Sequence, residues 1–507
     1  MPKTSTTRIS ITFIHLALWT LFTVALGLAL WNFIRGDAIT SLFSAELAGV
    51  KNIFELRIDT ISTLMLLMIT LLGGIIGKYS LRYLHREVRQ VYFYSYLLLT
   101  IISASLLVLA NDLIMLLMMW LLSSFGLHKL LVYYPERKQA VAAAWKKFFV
   151  SRFGDVALLA AIILTYQTFG TFNFSQLFSA ANAIGQHSFE AHRLSIIGIL
   201  FVFGAISKSA QFPFHFWLPE TMETPAPVSA LMHAGIINAG GFLIIRLSPL
   251  LQNAEVALLI LTFFGSITAV FGALVMITQN DIKKKLAFST VSQMGVMMVA
   301  CGLGAYSLAL FHIIAHSFYK AHAFLSTGFL VTESKKVKFN HSSASPLLLL
   351  SGVFAGYALI AIGSAYFELQ YVAYFSYAAI LLLGFVQNID FDERSSHKLH
   401  VNFFGILLLT LAFSFGVCFA VEAFLHHKLA DYSQVTPGYN GRSIVHVIAC
   451  FSAYTVFAIG LGLSALLMQS KAGFIQKIYL YFWNAGYFSQ RTSLFLNIIL
   501  PKKGLRS

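Results

Sequence analysis

The sequence predicts an all-α polytopic membrane protein with about 14 transmembrane helices. Three observations carry that prediction. Mean hydropathy is +0.76, and 58% of the residues are hydrophobic against only 11% charged, far below the roughly 25% charged residues of a soluble domain. Apolar stretches of the length that spans a bilayer, about 17–25 residues, recur through almost the whole chain. Lysine and arginine gather in alternate loops, as they do in proteins threaded back and forth across a membrane.

Taken in order, the apolar stretches fall at about 11–31, 59–78, 91–110, 113–134, 142–168, 194–218, 226–247, 254–278, 285–304, 307–330, 346–366, 370–388, 401–422 and 444–468. The first is followed by no A-x-A-like cleavage site and reads as a retained span. The longest connections, at about 32–57, 169–193 and 423–443, are too short for an independent fold. After residue 468 comes a basic, aromatic tail in which apolar residues alternate with Lys and Arg at irregular spacing. That pattern suits a helix lying on an anionic leaflet among membrane lipids, and equally a helix that docks a partner.

The formal charge of +15 belongs to topology and not to nucleic acid. Of the 35 Lys and Arg, 25 lie at the two termini and in or beside alternate loops, such as Lys78/Arg82/Arg86/Arg89 and Lys283/Lys284/Lys285. The intervening loops hold six, and four lie inside spans. The expected placement is a bacterial inner membrane with both termini cytoplasmic. Cys301, Cys418 and Cys450, in or near spans, give no disulfide framework and no metal spacing. No phosphate loop, CxxC, HExxH or nucleophile elbow is present, so the sequence offers no catalytic residues and no metal site or cofactor of its own.

The ionisable residues inside spans are few, and each needs a reason. Lys208 is preceded by fourteen mostly apolar residues from Leu194 and followed by largely apolar sequence to Leu218. An ammonium at bilayer depth costs about 3 kcal/mol or more, and this one is badly placed to reach the headgroups. It reads as part of an ion or proton route. Pro213 and Pro219 remove backbone donors just beyond it, which predicts a broken helix from about Ser209 to Pro219. His233 falls in the next span. His312, His316 and Lys320 recur at i, i+4 and i+8, one polar stripe on an apolar helix. Two imidazoles one turn apart can share a metal, but no carboxylate or thiol completes a set and the next neighbour is a cation. The stripe therefore reads as core histidines satisfied by other helices or as a proton relay through groups that titrate near neutral pH. Arg152 and Asp155, three apart, read as a neutralising pair on one helix.

At this point the sequence resembles a known family. GAISKSAQFPFHFWLPETMETPAPVSALMHAG (Gly204–Gly235), QNDIKKKLAFSTVSQMG (Gln279–Gly295) and FHIIAHSFYKAHAFLSTG from Phe311 are similar, in order, to the hallmark segments of the proton-translocating membrane subunits of respiratory complex I and Mrp-type cation/proton antiporters. RID (Arg57–Asp59) and SRFGD (Ser151–Asp155) match two shorter ones, and the likeness runs from about residue 55 to 330. It implies two five-helix repeats of inverted topology, each with a broken helix, over 91–247 and 248–422, after N-terminal helices at 1–90 and before a C-terminal helix and tail at 423–507. Lys208 would be the broken-helix lysine, and His233, His312, His316 and Lys320 the connecting and exit residues. Arg152, Asp155, Asp281, Lys283 and Glu368 would be supporting polar residues.

Two departures qualify the resemblance. The family's glutamate after a tryptophan is replaced by Leu121, and the second broken helix (GVFAGYALIAIGSAYFE, Gly352–Glu368) has no mid-span lysine or acid, only Glu368 at its end. The chain is also about a hundred residues shorter than a complex I subunit of this type and lacks its long lateral helix. The stretch Ser209–Gly235 most resembles the membrane subunits of two-component inorganic-carbon accumulation systems of bacteria and archaea. That branch implies a flow of H+ or Na+ that drives capture of CO2 or bicarbonate by a large zinc protein with a carbonic-anhydrase-like site, docked on the cytoplasmic face. The alternatives are a Mrp-type Na+/H+ antiporter subunit and a proton-pumping subunit of a complex I-like oxidoreductase.

Overall fold

Helix starts in this chain are written in short polar side chains. Asp59, Asp112, Asn173 and Asp281 each sit in extended backbone, and their side-chain oxygens accept from an amide two or three residues on, which satisfies donors that have no partner inside the helix. Gly170, with φ of 68°, ends the longest helix in the left-handed conformation that glycine adopts without cost. The computed structural model describes residues 5–47, 50–183, 189–330, 346–367, 369–387, isolated positions between 412 and 423, 444–469 and 472–492.

The described chain is helical apart from one hairpin. Helix α1 (Ser5–Arg35) leads into β1 (Ala38–Leu47) and β2 (Val50–Ile58), which pair antiparallel with Ala38 opposite Ile58 and Thr40 opposite Leu56. Then come α2 (Thr60–Tyr83), α3 (Gln90–Leu109), α4 (Leu113–Leu131), α5 (Lys138–Phe169), the short α6 (Phe174–Asn182) and α7 (Phe189–Lys208). After an irregular stretch follow α8 (Ala226–Ala234), α9 (Ala239–Arg246), α10 (Ser248–Leu251), α11 (Glu255–Thr278), α12 (Ile282–Gly302) and α13 (Tyr306–Leu330). The rest comprises α14 (Pro346–Tyr366), α15 (Leu369–Gln387), α16 (Ile444–Gln469) and α17 (Gly473–Trp483).

Two features correct the sequence reading. The segment 32–57, expected to be a loop, holds the hairpin. The span expected at 226–247 is present as Ala226–Arg246, but it is interrupted by a 3-10 turn at Ile236–Asn238. By length and composition, eight stretches of the described residues can cross a membrane, including Ile9–Arg35, Thr60–Tyr83, Lys138–Phe169 and Val445–Met468. Helices α7, α12 and α13, of 20, 21 and 25 residues, carry the polar residues of interest, and α14 and α15 contain shorter apolar stretches. The expected span at 401–422 lies almost wholly outside the described residues, as does Glu368.

The chain divides into two compact units, Met1–Ala257 with His312–Glu333, and Leu258–Phe311 with Ser334–Ser507. The first is stapled at one end by a buried ionic knot. Asp59 is 1% exposed and Arg246 fully buried; Nη1 of Arg246 lies 2.5 Å from one carboxylate oxygen, and Nη2 donates to Ser62 Oγ at 2.6 Å and to the Val108 carbonyl at 3.3 Å. Arg57 Nε donates to the same carboxylate at 2.8 Å. The knot joins the ends of α2, α3 and α9 to strand β2. In the second unit, α11 and α12 pack backbone to backbone where Gly265 and Gly272 face Gly295 and Ser292, positions at which a Cβ would meet main-chain atoms.

Removing one member of a buried ion pair strands the other charge and costs about 3–5 kcal/mol. Arg246→Met is therefore expected to lower the thermal midpoint of the purified protein sharply. Adding Asp59→Asn should restore part of the loss, whereas purely additive losses in the double variant would show that the two side chains act independently.

Candidate ion-translocation site

Helix α7 ends at Lys208, and the regular ladder stops with it. Ser209 N still donates to Ala205 O at 3.0 Å and Gln211 N to Ile206 O at 3.0 Å, but helical bonding resumes only in the 3-10 turn Pro219–Glu223. Proline at 213 and 219 supplies no amide hydrogen to continue it. The end of α7 is seated against α9 at Gly240, where a Cβ would collide with the Ala205 carbonyl and Ser209 Oγ. Only glycine allows this approach, and it holds the broken end in place.

Lys208 is 4% exposed. Its Nζ donates to the Trp120 carbonyl of α4 at 3.2 Å and sits 4.4 Å from the centre of the Trp120 indole, a cation–π arrangement. The indole Nε1–H donates to Asp155 Oδ1 of α5 at 2.8 Å. The second oxygen of Asp155 lies 2.5 Å from Arg152 Nη2, so the expected intrahelical pair is present. Lys147, one turn from Ser151 and two from Asp155, is 2% exposed and donates to Ser124 O at 3.0 Å and Ser124 Oγ at 2.7 Å. Next to it on α5, Lys146 has its own carboxylate, Glu220, at 2.7 Å.

A second polar group forms where α8 and the turn after it meet α13. His233, His316 and Lys320 are buried, and His316 lies within electrostatic range of His312, Lys320 and His233. The His233 ring stacks on Phe324, 4.2 Å between centres, and His312 and His316 are parallel at 6.1 Å. Asn238 Nδ2 donates to Ser317 Oγ at 2.8 Å, and Ser317 Oγ donates to Ile313 O at 2.6 Å.

The five proposed pathway residues thus stand in two groups, Lys208 in one and His233, His312, His316 and Lys320 in the other. A short polar bridge runs between them. Ser209 Oγ donates to Ile237 O at 2.6 Å, and the next residue, Asn238, reaches Ser317 on α13. The sequence reading missed this bridge, and also Trp120, Ser124, Lys147 and the buried His215 in the irregular stretch. Asp281 caps α12 by accepting from Lys284 N at 2.9 Å and is exposed, with the half-buried Lys283 beside it. Asp281 thus does the work of a helix start in the second unit. Among the described residues, no group of three His, Cys, Asp or Glu could hold a metal ion.

Comparison with known proteins places this geometry. The profile described as NADH:quinone oxidoreductase/Mrp antiporter, TM, matches residues 110–362, and that of complex I chain 5 N-terminus matches 46–94; together they cover more than half of the chain. The chain is 42% identical over 283 residues to the probable inorganic carbon transporter subunit DabB1 of Halothiobacillus neapolitanus, covering 56% of this chain and 51% of that protein. It is 36% identical over 326 residues to the DabB counterpart of Hydrogenovibrio crunogenus, 62% of each, and 37% identical to NADH-ubiquinone oxidoreductase chain 5 of Dictyostelium citrinum, over 55% of this chain and 42% of that one. The matches thus span from about two-fifths to about three-fifths of these relatives' length. In fold it is similar to the Mrp complex of Dietzia sp. DQ12-45-1b, with TM-score 0.59, 22% identity, 97% of this chain and 55% of that chain. It is also similar to the archaeal membrane-bound sulfane sulfur reductase, with TM-score 0.59, 17% identity, 95% and 93%.

Trp120→Phe keeps the ring beneath Lys208 but deletes the donor to Asp155. Leaving a buried carboxylate oxygen unpaired costs about 1–3 kcal/mol, so the variant should melt earlier, and Asp155→Asn should melt earlier still because Arg152 also loses its partner. Thermal scans of both in detergent check the order; equal midpoints for wild type and Trp120→Phe would remove the indole from the network.

Proposed function

We propose that this chain, which belongs to the NADH:quinone oxidoreductase/Mrp antiporter membrane-subunit family, is the ion-translocating subunit of an energy-coupled inorganic-carbon transporter. The observation that carries the reading is Lys208, a buried ammonium at the broken end of a helix, held by a carbonyl and a ring and not locked against a carboxylate. Such a group can give up and regain a proton without stranding a bonded anion. Trp120 transmits its charge to Asp155, and the Ser209–Asn238–Ser317 bridge leads toward the imidazoles and Lys320. A route lined by imidazoles and an amine suits H+ as the ion, with Na+ the alternative. The carbon half of the reading rests on the names and identities of the DabB relatives.

In this reading the chain sits in a bacterial inner membrane with cytoplasmic termini, as its alternate basic loops suggest. It performs no chemistry alone: hydration or dehydration of CO2 belongs to a DabA-like zinc protein on the cytoplasmic face, and the zinc is that partner's. A subunit of a Mrp-type antiporter or of a complex I-like oxidoreductase is the second reading, supported by 37% identity to complex I chain 5.

Growth in air of a bacterium lacking carbonic anhydrase tests it. Rescue is expected from this gene together with a DabA-like gene, from neither alone, and not after the proton gradient is collapsed. Within the rescuing pair, Lys208→Ala should abolish rescue while the complex still assembles, and Cys301→Ala, at a buried thiol, should change little. Normal rescue by Lys208→Ala would end the relay reading; rescue by the partner alone would reduce this chain to an anchor.

A further inference from the structure

The polar group on α4, α5 and α7 carries an excess of positive charge. Lys208 Nζ rests on the Trp120 carbonyl and Lys147 Nζ on the Ser124 carbonyl, acceptors one helical turn apart on α4, about 5.4 Å of rise. Two ammonium groups are thereby held near each other away from water. Arg152 is the third cation, 4.9 Å from the Phe148 ring centre. Among the described residues one carboxylate serves this group, Asp155, and it is already committed to Arg152 and the Trp120 indole. Glu220 is bonded to Lys146. Buried charges of this kind persist only when paired.

Beside the excess lies a cavity of about 440 Å³ between α4 and α5, lined by Leu121, Ser124, Phe125, His128, Phe148 and Arg152 among others. The lining combines apolar walls with donors that the protein does not use. Ser124 Oγ accepts from Lys147, which leaves its own hydrogen to donate. Arg152 Nε has no hydrogen-bond partner among the described residues. A liquid water occupies roughly 30 Å³, so the space takes a small ion with several waters. The walls supply no acceptor carboxylate of their own.

We propose that this cavity is a binding site for a small monovalent anion, chloride or bicarbonate, whose charge offsets Lys147 and Lys208. The anion sits against Ser124 and Arg152, with Leu121 and Phe148 as apolar walls. The site stands on the charge count and the cavity, independently of the transport reading. If the occupant is bicarbonate, the same position couples the carbon substrate to the charge of Lys208; if chloride, it is a fixed counter-ion.

The full chain in lipid nanodiscs is melted at fixed pH and ionic strength while sodium gluconate is exchanged for chloride or bicarbonate. A saturable rise in the melting midpoint is expected with one or both small anions and not with gluconate, whose hydroxylated chain the apolar walls disfavour. Chloride NMR line-broadening, competed by bicarbonate, reports which anion binds better. Leu121→Glu places a tethered carboxylate in the cavity: its midpoint in gluconate should equal that of the anion-saturated wild type, and its response to anions should vanish. Leu121→Gln, of the same size without the charge, should be no more stable in gluconate than wild type. Ser124→Ala, which removes the hydroxyl donor, should weaken apparent anion affinity by up to about tenfold, as expected for the loss of one hydrogen bond. Absence of a saturable anion effect in the wild type, or an undiminished effect in Leu121→Glu, overturns the proposal.

Discussion

A charge taken out of water must be bonded where it is buried, and the first unit is organised by three different answers to that requirement. Asp59 is met by two guanidinium groups and a helix amide, an arrangement with every strong acceptor direction filled. Lys146 is met by a single carboxylate, Glu220, half a helix away in the irregular stretch. Lys147 and Lys208 are met by carbonyls and a ring on α4, neutral groups that solvate a cation without cancelling it. The first answer suits a staple, the second a tether and the third a group whose charge changes.

The break after Lys208 is what makes the third answer available. An uninterrupted helix would bury its own carbonyls in the i to i−4 ladder and carry the lysine past α4 on a rigid rod. Here the ladder stops, Gly240 lets the end of α7 press against α9, and Ser209 bonds across to Ile237 O. The 3-10 turn at Ile236–Asn238 is the complementary irregularity on the other side. It turns Asn238 toward Ser317. Two local defects in regular structure, joined by the hydrogen bond from Ser209 to Ile237, thus form the polar crossing between the lysine and the histidines.

What was legible in the sequence followed from local rules. Apolar length gave the helices, Pro213 and Pro219 gave the break after Lys208, and the i, i+3 spacing of Arg152 and Asp155 gave their pair. The hairpin was not legible, because Ala38–Leu47 and Val50–Ile58 have weak alternation and their pairing is set by register, which composition does not encode. The partners of Lys208 were not legible either: Trp120 and Ser124 look like ordinary residues of an apolar helix until α7 and α5 are docked on that face. Ser317 falls off the His312, His316, Lys320 stripe. That stripe is real in periodicity, yet the residue one position from His316 makes the bond to the neighbouring element. Periodicity identifies a face; it does not say which edge of that face another helix approaches.

Charge is handled differently at Lys208 than at the Asp59–Arg246 staple. Breaking a direct buried ion pair costs about 3–5 kcal/mol, and that penalty fixes Asp59 against Arg246. Lys208 instead touches a carbonyl and the face of an indole, with the nearest acid reached through the indole N–H. A cation–π contact is worth about 0.5–2 kcal/mol, so the cost of discharging Lys208 is lower and depends more on the charges around it. Those charges are Lys147, Arg152 and Asp155, all on α5. Repositioning α5 against α4 would then shift the balance at Lys208 without any residue of α7 moving, which puts control of the lysine on the helix that pairs with it.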